Sequence, residues 1–321
     1  MSNGIRTDVR FATLVALCGV ALCSPQRASA QTLDSVIAQL NAAEARGDFV
    51  AAAREYERIY GLTGFDPGSL AAAAVSAARA GVDSLALRYL QRAIREGYLN
   101  PRFFAHVEGD SSLARIRRNT EWAAAVKEGK RRLASIDTVL AADLVALATN
   151  DQKNREGIGD FIGKFGRASS QADSATRAME RADAPLLARL QAIIAARGWP
   201  GRSLVGDDGA HAAWLVLQHA PADVQRALLP TVRAAIRKGE GRLGDLALLE
   251  DRVMVNEGGA QRYGSSLRYA SQGGGSQTLD PIADEECVDQ RRAAMGLEPL
   301  ADYLRRFGVK YDPPTKRCSR G

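Results

Sequence analysis

Apolar residues recur at three- and four-residue spacing along most of the chain from Leu33 onward, and alanine and leucine far outnumber β-branched and aromatic residues. Spacing and composition together predict helices. In the first half they fall over Leu33 to Arg46, the stretch up to Tyr60, Ser69 to Arg79 and the stretch up to Ile94. In the second half the apolar stripes run over Leu140 to Ala148, Leu186 to Ala196, Ala210 to Ala220, Val224 to Lys238 and Leu243 to Val255, with Pro230 either kinking its helix or starting a new one. Gly198 stops the second of these helices and Pro200 prevents its resumption. One region breaks the pattern. Gln261 to Ser266 and Thr278 to Ile282 flank the run Gly273-Gly274-Gly275, which predicts a β-hairpin. Two short helices, Asp284 to Met295 and Pro299 to Phe307, follow it. The expected fold class is mainly α, helical hairpins leading into a helical domain with a small β-hairpin.

Self-comparison of the first half reveals an internal repeat with a period of about 34 residues. RGDFVAAAREYERIY, starting at Arg46, aligns with AGVDSLALRYLQRAI, starting at Ala80, so that Gly47 matches Gly81, Ala52 matches Ala86 and Tyr56 matches Leu90. The glycines allow a tight turn between helices, the alanines are small where helices cross, and Tyr56 and Leu90 fill the groove one turn on. This arrangement resembles the tetratricopeptide repeat. The segment from Glu96 to Val126 resembles the closing unit of some bacterial arrays of that kind, with Gly97, Tyr98, Asp110, Leu113 and Trp122 in its roles. Phe103 and Trp122 read as core. The resemblance implies a concave helical surface for a protein or peptide partner; the alternative is a spacer whose groove is filled by its own termini. Two hairpins and a cap are short for an independent solenoid, so this half should lean on the rest of the chain or on a partner.

The first thirty residues change the picture of where the protein works. Arg6 and Arg10 precede the apolar run FATLVALCGVAL, which is too short to span a bilayer, and Ala28-Ser29-Ala30 is a small-x-small cleavage site. The expected organisation is a signal peptide over 1–30, a tetratricopeptide-like domain over 31–135 and a C-terminal helical domain over 136–321. A lipoprotein signal on Cys18 or Cys23 is the rival, but Leu17 and Leu22 stand where a small residue is wanted. The expected location is periplasmic or secreted, with no membrane span after the signal and no nucleic-acid partner. In an oxidising compartment the two remaining cysteines, Cys287 and Cys318, are placed either for a disulfide stapling the tail or as two free thiols. The net charge is +6. A basic run of Arg115, Arg117, Arg118, Lys127, Lys130, Arg131 and Arg132 is interrupted by Glu121 and Glu128, the composition of a solvated helix face.

Six pieces of the second half, in order and spacing, resemble a bacterial domain family of unknown function, the one numbered 6624: DQKNR at Asp151, GWP at Gly198, AAWLVLQHA at Ala212, DRVMVNEG at Asp251, QRYG at Gln261 and VDQRRAAMGLEPLADYL at Val288. The resemblance spans about 140–306 and departs from the pattern at Ser265, where the family has threonine. It implies a domain and no reaction.

The polar residues in these pieces are the candidate chemistry. His219 follows an apolar run and could act as a general base, or bond a helix-end carbonyl. Asp151 and Arg155 fit an i,i+4 ion pair, whereas Asp251 and its neighbour Arg252 leave their helix in different directions. Trp199, Gln218, Gln261 and Tyr263 complete the set of ligand-binding candidates, and Gln218, His219, Arg252 and Tyr263 are expected to face one cleft. His211 and His219 lie about 12 Å apart on a continuous helix, too far to hold one metal ion. Gly206-Asp207-Asp208-Gly209 lacks the length of a calcium loop and the lysine of a phosphate loop, and reads as a helix N-cap. No motif calls for a metal or a cofactor, and none of the known nucleophile motifs occurs. Two readings follow: an exported protein-interaction or ligand-binding protein, or a hydrolase-type enzyme with a polar site around His219.

Signal cleavage should leave Gln31 at the N-terminus of the exported protein. Mass spectrometry of that form checks it, and an intact Met1 or a lipid on Cys18 or Cys23 would refute it.

Overall fold

The computed structural model describes residues 33–63, 66–158, 165, 169–269, 277–315 and 318. The expected signal peptide and the glycine run at 273–275 lie outside the described residues.

The chain is mainly helical. The first half forms α1 (Leu33–Ala45), α2 (Phe49–Leu62), α3 (Pro67–Arg79) and α4 (Asp83–Arg95), each packed on the next. Two glycines, one repeat apart, close their hairpins by the same hydrogen bonds. Gly47 at φ 70° donates to the Glu44 carbonyl while Asp48 donates to Ala43; Gly81 at φ 80° donates to Ala78 while Val82 donates to Ala77. A left-handed residue is needed to satisfy the last carbonyls of each helix, and glycine takes that conformation without penalty. Ala52 and Ala86 are buried with no exposed surface, Leu90 is enclosed, and Tyr56 packs beside them. The short α5 (Pro101–Gly109) and the full-length α6 (Thr120–Leu133) close the stack, with Phe103, Phe104, Leu113 and Trp122 inside the same core.

Most of the basic run is used internally. Arg115 pairs with Asp83 at 2.5 Å, Lys130 with Glu108 at 2.9 Å and Arg131 with Glu128 at 2.7 Å, while Arg117 donates to the Asp110 carbonyl and Arg132 to that of Ile94.

The second half is built on three helices: α7 (Thr138–Lys153), α8 (Ser170–Arg197) and α9 (Arg202–Gln218). α8 runs antiparallel to α7, since Arg197 meets Asp137 at one end, Arg189 meets Asp143 in the middle and Arg155 meets Asp183 at the other. α9 lies parallel to α7. The Asp137 amide donates to the Leu204 carbonyl where both begin, and both finish at the same end. α8 is longer than its apolar stripe and continues through Pro185; before that proline only Ala172 is buried. α10 (Ala222–Arg237) holds Pro230 within one continuous helix, and α11 (Leu243–Asn256) packs against it through Arg233–Glu250 and Asn256–Gln225.

The hairpin forms with shifted strands. β1 (Leu267–Tyr269) pairs antiparallel with β2 (Gln277–Leu279), and the segment before β1 is a loop instead of a strand, with Gln261 bridged to Ile282. The loop wraps a buried carboxylate described below, which competes successfully with strand pairing for its amides. The closing helices are shorter than expected, α12 (Val288–Ala294) and α13 (Leu300–Arg305). Cys287 and Cys318 form a disulfide with Cα atoms 4.7 Å apart.

The Gly206-Asp207-Asp208-Gly209 reading is corrected in part. Gly206, at φ 74°, breaks α9 into a first turn from Arg202 and a regular helix that opens right after it, as expected, but the aspartate is not its cap. Asp207 is buried between Arg202, at 2.7 Å, and Arg242, and Arg242 reaches on to Asp66 at the N-terminus of α3. The Asp207 amide also donates to the Gly97 carbonyl at 3.3 Å. The two halves meet through this cluster.

Ala86→Leu should lower stability by roughly 1–3 kcal/mol through overpacking at the helix crossing. A denaturation midpoint equal to that of the parent would place residue 86 outside the crossing.

Candidate functional site

The parallel packing of α7 and α9 brings their C-terminal ends together, and with them Asp151 and His219, which are distant in sequence. The Asp151 side chain is almost wholly buried. Its Oδ2 sits 2.7 Å from His219 Nδ1, and its Oδ1 sits 2.9 Å from Arg155 Nη1. Gln152 Nε2 donates to the same carboxylate at 2.9 Å. A buried carboxylate needs this many partners, since leaving it unpaired costs several kcal/mol. Arg155 is fixed in turn by Asp183 of α8, Nη2 to Oδ2 at 2.6 Å, and Asn154 donates to that carboxylate at 3.0 Å.

This arrangement dictates the state of His219. With Nδ1 facing a carboxylate, the neutral ring carries its proton on Nδ1 and presents Nε2 as an acceptor. No described residue bonds Nε2. Burial lowers the His219 pKa below its ordinary 6.5; Asp151 opposes that shift, and the positive charges of Arg155 and Arg252 add to it. The neutral base form is therefore favoured near neutrality. The ring keeps some exposure, about 18% for the side chain, so Nε2 is not sealed inside the core.

The positive charge of Arg252, on α11, is felt at His219. Gln218 directly precedes the histidine in the chain. Its backbone carbonyl accepts from Gln225 Nε2 at 2.6 Å, and its own Oε1 is buried without a partner among the described residues.

The remaining sequence candidates serve a neighbouring structural knot. Asp251 is wholly buried and accepts from the amides of Arg262 (2.7 Å), Tyr263 (3.0 Å) and Ser265 (2.9 Å), and from the Ser265 hydroxyl at 2.8 Å. That ties the 261–266 loop to α11. Gln261 Nε2 donates to the carbonyls of Ser266 and Asp280, and its Oε1 accepts from the Ser266 amide. The Tyr263 hydroxyl turns to Glu250, 3.1 Å away, and its carbonyl accepts from the buried Arg292 at 2.6 Å. A Cβ on Gly264, at φ 71°, would lie 2.7 Å from Leu300, so the loop's close approach requires that glycine. Tyr263 thus faces Glu250 and not His219. Trp199 packs partly buried against the core at the other end of α7, where α8 finishes, about 20 Å away by the helix rise.

The structure brings together Asp151, Arg155 and His219, with the charge of Arg252 felt at the ring and Gln218 next to it in the chain. It sets Asp251, Gln261 and Tyr263 in the adjoining loop and Trp199 apart. His211, the other histidine of α9, pairs with Asp245 at 2.9 Å, so the two histidines have separate partners. Sequence reasoning missed Asp183, because an exposed stretch of a long helix carries no sign of a partner on an earlier helix. Among the described residues no group of three His, Cys, Asp or Glu side chains is placed to hold a metal ion. No single helix among them is long and apolar enough to cross a membrane.

Comparison with known proteins adds one finding. A family model described as a family of unknown function, DUF6624, matches residues 138–313, more than half the chain, and takes in all the residues of this site. No curated protein and no solved structure matches.

A histidine whose folded pKa lies below its unfolded value stabilises the fold fully above pH 6.5, and that contribution is lost as pH falls from 6.5 through the folded value. Acidification from about pH 7.5 to about pH 5.5 should therefore destabilise the parent more than a His219→Gln variant, read by denaturation midpoints at each pH. Equal losses in the two proteins would contradict the depressed pKa.

Proposed function

The chain belongs to the family of unknown function DUF6624, which names a domain and no reaction, and we propose its function from the site itself: an exported binding protein whose C-terminal domain takes a small anionic ligand at the Asp151–His219 pair. The observation that carries this is the buried Asp151 carboxylate 2.7 Å from His219 Nδ1, which orients the ring and leaves Nε2 to meet a ligand. Nε2 of the neutral ring is an acceptor, so the ligand must bring an O–H as well as its charge, as hydrogen phosphate does, and the positive charge of Arg252 is felt at the ring. Export is supported by the leader's composition and by the Cys287–Cys318 disulfide, a bond that persists in oxidising compartments. The internal repeat makes the first four helices tetratricopeptide-like, and their role in this reading is contact with a protein or peptide partner.

Inorganic phosphate, whose P–OH can donate to Nε2, is the probe for the site, and acetate, which has no donor at neutral pH, is its control. In 15N-histidine-labelled protein, phosphate should shift the His219 ring resonances and acetate should not, and the Arg252→Gln variant should lose the response to phosphate with its helical signal intact. Absence of a His219 shift with phosphate would refute the ligand site.

A second reading is favoured by one feature. A neutral histidine held at Nδ1 by a carboxylate is set up to take a proton from water at Nε2, which is the work of a hydrolase base. Under that reading the protein hydrolyses p-nitrophenyl acetate or p-nitrophenyl phosphate, and His219→Gln lowers the rate by about 10²–10⁴. Phosphate binding without turnover leaves the binding reading standing alone.

A further inference from the structure

Between α5 and α6, at the end of the hairpin stack, lies a groove in two lobes of about 350 and 310 Å3. One lobe is lined by Val107, Trp122, Ala123 and Val126, the other by Phe104, Ala105 and Leu133. Glu108 and Lys130 line both lobes and join across the middle at 2.9 Å, so an ion pair straps the groove. The apolar lining is continuous with the core of the stack, yet it opens to solvent.

Charge around the first lobe is one-sided. Arg117, Lys127 and Lys130 stand on its walls against Glu108 alone. Lys127 is exposed and makes no ion pair with any described residue. Glu108 and Lys130 are both about half exposed, so their pair is weak and readily exchanged for another carboxylate. Trp122, 1% exposed, forms part of the floor of this lobe.

We propose that this groove docks an acidic amphipathic peptide segment of a partner protein. Its apolar side chains enter the two lobes on either side of the strap, and its carboxylates take Lys127 and displace Glu108 from Lys130. The charge balance selects an acidic partner over a basic one, since a basic segment would bring like charges against three cations. This rests on the reading that the N-terminal hairpins contact a protein partner, and it narrows that contact to one face of the closing unit.

The test uses the chain from Gln31 to Gly321 and two fluorescein-labelled model helices. One carries leucines at helical spacing with glutamates on its other face, and its counterpart carries lysines in place of the glutamates. Fluorescence anisotropy should show the acidic peptide binding at least about tenfold more tightly than the basic one, more weakly as salt is raised. Two variants at exposed groove positions, Lys127→Glu and Ala105→Glu, should each weaken the acidic peptide by about tenfold or more with the circular dichroism unchanged. Equal binding of the two peptides, or no binding of either up to about 1 mM, overturns the proposal. So does preferential binding to phosphatidylglycerol vesicles, which would make the face a lipid surface. Self-association of the parent that both variants abolish also overturns it, since the occupant would then be a second copy. If the acidic peptide binds the parent and both variants equally, the groove is wrong, while partner contact by the hairpins elsewhere survives.

Discussion

Asp207 is a buried carboxylate with two guanidiniums for neighbours, and the placement of both halves depends on it. Burial raises its pKa, but Arg242 and Arg202 more than reverse that and hold it below the usual carboxylate range. Removing one partner of such a buried group costs on the order of 3–5 kcal/mol, because the remaining charge is left without solvent or a counter-ion. Arg242 extends the cluster to Asp66, so the same group that starts the regular part of α9 also fixes α9 against the hairpin stack. From that fixed point α9 runs parallel to α7 and delivers His219 to Asp151.

Buried carboxylates play three separate roles in the second half. Asp207 joins segments, Asp251 gathers the amides of a loop, and Asp151 orients a histidine. The chemistry of each follows from its partners. Guanidiniums leave Asp207 with no capacity for anything but holding. Backbone donors occupy both oxygens of Asp251. Of these three, only Asp151 is bonded to a histidine; Asp245 makes a pair of the same kind with His211 earlier on α9.

Much of this was legible in the sequence, for local reasons. Helix positions follow from apolar spacing, and the hairpin turns follow from Gly47 and Gly81, where one residue type meets a steric demand. The i,i+4 pair of Asp151 and Arg155 is likewise a local fact. What escaped depends on contacts between distant segments. Asp207 looked like a cap because an aspartate beside a helix start usually is one, and only the arrival of Arg242 shows otherwise. Tyr263 looked like a site residue because its partner, Glu250, is no nearer in the sequence than several other acidic residues. The 261–266 stretch looked like a strand because nothing local reveals that Asp251 will claim its amides.

Pro185 sits within α8 just beyond Asp183, the carboxylate that holds Arg155. A proline in a helix donates no hydrogen bond and crowds the carbonyl one turn back. The rung that would tie residue 185 to residue 181 is therefore missing, next to the outermost support of the His219 cluster. Beyond it toward the N-terminus α8 buries only Ala172. Mechanically α8 is two levers on one axis: a seated arm after the proline, and before it an arm held chiefly by its bonds to Arg155 and Asn154. A load on the outer arm would be transmitted through that carboxylate to Arg155, and from Arg155 to the residue that aims the histidine.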